Sequence, residues 1–86
     1  MIFKKKILFI GTIEFSYKAL STLIKNNFKI AGIITKNKSN FNSDYCDLTP
    51  LANDNKIPIF YRTPTNNEEM VSFIKSLNPD VIYCFG

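Results

Sequence analysis

The sequence predicts an α/β fold on a parallel sheet, and three observations predict it. Apolar runs of strand length stand at residues 7–10, 29–35, 57–61 and 81–85. Between them lie stretches with apolar residues at helical spacing or with helix-start chemistry. The first and last runs are continuously apolar, as expected of strands buried on both faces of a parallel sheet rather than half-exposed ones.

Ile7-Leu8-Phe9-Ile10 ends at Gly11 and forms the first strand. From Phe15 onward, Ala19, Leu20, Leu23 and Ile24 complete a 3.6-residue stripe that ends near Asn26-Asn27, an amphipathic helix. Ile30, Ala31, Ile33 and Ile34 around Gly32 give the second strand, within Lys29 to Thr35. The chain then turns polar from Lys36 to Asp47, which reads as a loop.

Thr49-Pro50 reads as an N-cap followed by proline at the first helical position, where a missing N–H costs nothing. A short helix to about Asn55 follows. Ile57 to Tyr61 is a short strand whose Pro58 suits its start or a sheet edge. Thr65-Asn66-Asn67-Glu68 matches a capping box. Met70, Phe73, Ile74 and Leu77 behind it predict a helix that Asn78-Pro79 terminates. Val81 to Phe85 is read as a buried final strand, ending at Gly86.

The resulting order, β-α-β-α-β-α-β, implies right-handed crossovers with helices on both faces. It is half of a Rossmann-like doubly wound sheet, with expected strand order 3-2-1-4. Ligands of such sheets bind outside the carboxyl ends at the switch point, here between the first and fourth strands. Gly11 to Glu14 and Phe85-Gly86 occupy those ends.

Composition excludes several classes. The chain has 86 residues, 45% hydrophobic and 21% charged, which fits one small packed domain and not a disordered or fibrous protein. Ten lysines and one arginine against seven acids leave a net charge of +4, but apart from Lys4 to Lys6 the lysines are spread out. That run reads as a solvated strand entry. Two cysteines without any histidine make neither a zinc site nor a Cys-His nucleophile pair. Cys46 and Cys84 are expected to be free thiols in a reducing cytoplasm. No secretory signal or run of ~20 apolar residues is present, so a cytoplasmic location and no membrane partner are expected.

Segment 11–16, Gly-Thr-Ile-Glu-Phe-Ser, has one glycine where a dinucleotide fingerprint needs three. Glu14 also puts negative charge where a phosphate would sit. A P-loop is excluded by the absence of Gly-Lys-Ser/Thr. The acidic pairs Asp44/Asp47 and Glu68/Glu69 are explained by capping and the helix dipole.

Lys6 to Phe15, with its Gly11-Thr12-Ile13-Glu14-Phe15, Leu48 to Ala52, Lys56 to Ile59, and Leu77 to Ile82 occur in one order. Together they resemble the N-terminal part of the formyl-tetrahydrofolate-dependent formyltransferases, which include methionyl-tRNA and nucleotide-sugar enzymes. The resemblance covers essentially the whole chain, residues 1–86, as a truncated part of the catalytic domain. Lys38 to Tyr45 and Cys84-Phe85-Gly86 look more like the amino-sugar branch.

What the resemblance implies is formyl transfer from formyl-tetrahydrofolate, a co-substrate, to the amine of a nucleotide-linked sugar. The alternatives are a methionyl-tRNA enzyme, in which case a nucleic acid is the partner, and a non-catalytic half-Rossmann binding module. A homodimer is an expectation for the full-length enzyme. The family's catalytic Asn-x-His motif and later aspartate match nothing here, so no catalytic residue is assigned and the chain alone is expected to be inactive. Phe85 and Gly86 are carried over to the pterin pocket, and Gly11, Thr12 and Glu14 to the substrate side. Asn42 and Asp44 are weaker candidates. The isolated chain is expected to expose an apolar face and to associate.

Overall fold

In the computed structural model, residues 5–37 and 45–85 are described. Lys4, Asn42, Asp44 and Gly86 fall outside the described residues, as does most of the polar loop.

The elements follow in the expected order: β1 Ile7–Gly11, α1 Glu14–Lys25, β2 Ile30–Thr35, α2 Thr49–Asp54, β3 Ile59–Tyr61, α3 Asn67–Leu77 and β4 Val81–Phe85. Among the described residues they form a four-stranded parallel sheet in the order β3-β2-β1-β4. The switch point therefore lies between β1 and β4, where Gly11 pairs with Phe85. One irregularity interrupts the β1–β2 register: Ile7 pairs with Ile30 but Leu8 with Gly32, leaving Ala31 over.

Side chains alternate along a strand, and the helices take opposite faces accordingly. Phe9, Leu20, Ile33, Leu48 and Ala52 are fully buried in one cluster, which places α1 and α2 on one face. On the other, Gly32 lies beneath Leu77 and Phe73 of α3, and the Phe60 and Phe73 rings stand 5.4 Å apart.

Asparagine and lysine end the helices. After α1, Asn27 takes φ 66°, its N–H reaches Ile24 O and the N–H of Phe28 reaches Leu23 O, a Schellman closure. Lys56, φ 55°, repeats it after α2 with bonds to Asn53 O and Ala52 O.

Three expectations are corrected. Thr65 does not cap α3: Asn66 is the N-cap, and its side chain is occupied in the preceding turn. Thr49 is the first residue of α2 rather than its cap, and its N–H is held by the Asp47 carboxylate at 2.9 Å. β4 is not buried: Ile82 is 53% exposed, and Tyr83 and Cys84 are exposed too. It pairs only with β1, so it forms an edge of the described sheet.

Candidate functional site at the switch point

The carboxyl end of the sheet is assembled from β1, β2, β3 and β4 and the residues that leave them. Gly11 ends β1 because α1 approaches too closely for a side chain. A Cβ there would lie 2.5 Å from Ser16 Cβ and 3.1 Å from Phe85 O. Ser16 is fully buried at the third position of α1, where its Oγ accepts from Ile13 N–H at 3.4 Å. This is one half of a capping box. The same hydroxyl donates to Phe85 O at 2.9 Å.

The connection into α2 closes over this end. Cys46 N–H donates to Thr12 O at 2.8 Å, and Ile13 and Tyr45 form an antiparallel bridge. Tyr45 Oη donates to Lys36 O at 2.8 Å. Burial pushes the Tyr45 hydroxyl pKa up, and the nearby Asp47, Tyr61 and Cys46 add to it.

Three of the predicted residues are brought together. Gly11 and Phe85 are paired, and Thr12 follows Gly11; Gly11 and Thr12 line a small cavity of about 90 Å³ with Ile10, Lys36, Arg62 and Cys84. Phe85 faces the opposite way, stacked on Phe9 at 5.3 Å and edge-on to Phe15 at 5.6 Å. With Tyr83 and Leu23 it lines an apolar groove of about 360 Å³. Glu14 is not brought in: its carboxylate reaches Lys18 at 3.8 Å along the exposed surface of α1.

Sequence reasoning missed the residues that bind this end together or charge it. Ser16 carries two of the bonds above. Lys36 and Arg62 border a cavity of about 420 Å³ with Asn37, Thr63, Pro64 and Asn67. A usable signal existed: Lys36 and Arg62 each directly follow a strand, and ligands of doubly wound sheets gather beyond strand carboxyl ends. No group of three or more His, Cys, Asp or Glu side chains that could hold a metal ion occurs among the described residues. No described helix is long and apolar enough to cross a membrane.

A parallel sheet in the order 3-2-1-4, with loops converging on its switch point, defines the class: half of a Rossmann-like α/β domain. No family model matches the sequence. Similar proteins identify the family: the chain is 35% identical over 81 residues to methionyl-tRNA formyltransferase of Clostridioides difficile (strain 630), covering 90% of this chain and 26% of that protein. It is 36% identical over 81 residues to the same enzyme of Sulfurihydrogenibium sp. (strain YO3AOP1), 88% of this chain and 26% of that one. It is also 31% identical over 74 residues to the bifunctional polymyxin resistance protein ArnA of Wigglesworthia glossinidia brevipalpis, 84% of this chain and 11% of that protein. The chain belongs to the formyltransferase family, and it spans about a quarter of the length of the methionyl-tRNA formyltransferases it matches.

Proposed function

We propose that the chain is the opening segment of an enzyme that moves a formyl group from formyl-tetrahydrofolate to a primary amine. The observation that carries this reading is the 81-residue match at 35% identity, which takes in nearly the whole described fold. The switch-point geometry is compatible with it. The cavity of about 90 Å³ at Gly11 and Thr12 is far below the ~300 Å³ of ordinary small-molecule sites, and in this reading these residues supply one wall of a larger pocket. In this reading Phe85 and Gly86 edge the pterin, Phe85 being already held in an aromatic stack with Phe9. Gly11 and Thr12 edge the acceptor. Glu14, whose carboxylate reaches Lys18 on the exposed surface of α1, lines neither the cavity at Gly11 and Thr12 nor the groove at Phe85.

For the acceptor, the amino-sugar reading rests on residues 38–45 and 84–86, and ArnA is a matched relative whose name does not mention tRNA. The methionyl-tRNA reading is favoured by the other relatives, which carry that name at identities up to 36%. Reading the source gene past codon 86 tests the enzyme assignment. An in-frame Asn-x-His shortly downstream, with an aspartate some tens of residues later, is the expected result. A stop codon directly after Gly86 would withdraw the assignment for this polypeptide and leave a binding module.

A further inference from the structure

We infer that the cleft beyond the carboxyl ends of β2 and β3 holds a phosphoryl group of the amine-bearing substrate, with Arg62 and Lys36 as its cationic contacts. This deepens the formyl-transfer reading and rests on it, since either acceptor above, a tRNA or a nucleotide-linked sugar, carries phosphoryl groups beside its amine.

The placement follows from register. Thr35 and Tyr61 are paired as the last residues of adjacent parallel strands. Lys36 and Arg62, the next residues, therefore leave the sheet side by side, strands in a sheet being about 4.8 Å apart. The cleft they border, about 420 Å³, falls within the ~300–1,000 Å³ of small-molecule sites. Arg62 is the only arginine of the chain, and its planar fork suits the oxygens of a phosphoryl group better than a lysine does. Among the described residues neither cation forms an ion pair with a carboxylate, Glu68 and Glu69 in the first turn of α3 included. Their charge is thus not already neutralised by a carboxylate.

The wall carrying Arg62 is fixed rather than loose. Arg62 N–H donates to Thr35 O at 2.8 Å. Asn66 accepts from Thr63 N–H at 2.8 Å and donates to Tyr61 O at 3.0 Å, spanning the turn. Because the Asn66 side chain is used this way, it makes no cap bond to the first N–H groups of α3, and Asn67 at the start of that helix borders the same cleft. Lys36 and Arg62 also border the small cavity at Gly11 and Thr12. The two spaces adjoin, so a substrate anchored by phosphate in the cleft extends toward the switch point, where the reading above puts the amine.

The test is a titration of the 86-residue chain with inorganic pyrophosphate, followed by amide NMR. Saturable shifts are expected at Lys36, Asn37, Thr63 and Asn67. Arg62→Gln and Lys36→Gln should each weaken binding about tenfold, and Lys75→Gln, in the last turn of α3, should leave it unchanged. Should Arg62→Gln fail to fold, the exposed Lys36→Gln reads the same loss. Displacement by uridine diphosphate indicates a nucleotide-sugar source, displacement by a short RNA hairpin a tRNA source, and both support the site. Displacement by neither, shifts that never saturate, or equal binding by variants and wild type overturns it. No arm uses folate, and the formyl-transfer reading is tested separately by the gene past codon 86, so a stop codon there with pyrophosphate binding intact removes that reading and leaves the anion site standing.

Discussion

The Ser16 hydroxyl donates to the Phe85 carbonyl at 2.9 Å, linking residues 69 positions apart. Through it the first turn of α1 is tied to the end of the edge strand, at the place where the switch point opens. The bond requires α1 to sit close to the sheet, and Gly11 permits that approach.

Removing this link is therefore expected to loosen the site end of the sheet before the core. Ser16→Ala should cost about 1–2 kcal/mol, the range for losing a hydrogen bond and leaving its partner unpaired. Gly11→Ala should cost about 1–3 kcal/mol, because the new methyl meets Ser16 Cβ and backbone, neither of which can swing away. Urea unfolding of both variants measures this. A Gly11→Ala protein as stable as wild type would show that α1 does not press on β1.

Strand and helix order, and the sheet order itself, were legible because apolar period and connection handedness decide them. Helix ends were legible where asparagine stands, as at Asn26-Asn27 and Asn78. The start of α3 was not, because Thr65-x-x-Glu68 and Asn66-x-x-Glu69 overlap in sequence, and only the turn at Thr63 decides between them. The exposure of β4 was illegible for a different reason. An apolar run records that a strand prefers burial, whereas the described neighbours determine how much it gets. Of the candidate site, strand ends could be named from the topology. Ser16 and Asn66 could not, since their roles arise from partners distant in sequence or across a turn.

The exposed apolar surface gives a second prediction. Phe15 is 61% exposed and Ile82 53%, and both lie by the unpaired edge of β4. Exposed apolar edges associate, so sedimentation of the wild-type chain should show concentration-dependent assembly. Ile82→Lys should shift the population toward monomer at equal concentration. A wild-type chain that stays monodisperse and melts cooperatively would contradict this.

Tyr45 gives a pH dependence. Its folded-state pKa is raised above the ordinary value of about 10, first by burial and then by the neighbouring Asp47. A raised pKa means that the folded state binds the proton more tightly than the unfolded one. The stability contributed is present below pH ~10 and is lost as pH rises through the folded-state value. Tyr45→Phe also removes the bond to Lys36 O, so the variant should be less stable by about 1 kcal/mol near pH 8. That gap should narrow above pH ~10, where the wild-type tyrosine ionises. Urea midpoints taken from pH 8 to beyond pH ~11 read the gap directly, and a constant difference across this span would sink the assignment.

Thr35 is fully buried at the end of β2, and its Oγ1 has no hydrogen-bond partner among the described residues. A buried hydroxyl without a partner costs about 1–3 kcal/mol relative to an apolar group of the same shape. Valine has that shape, and its branched side chain suits a strand. The backbone would be undisturbed, because the bond at this position, from Arg62 N–H, is accepted by the Thr35 carbonyl and not by its side chain. Thr35→Val should accordingly raise stability by about 1 kcal/mol or more and leave pyrophosphate binding by Lys36 and Arg62 unchanged. Two measurements on one variant, a urea midpoint and the amide titration, decide it. A destabilised variant would mean that the hydroxyl is bonded in solution. A stabilised variant that lost pyrophosphate would mean that Thr35 sets the geometry of the cleft, joining the end of β2 to the anion site through its side chain.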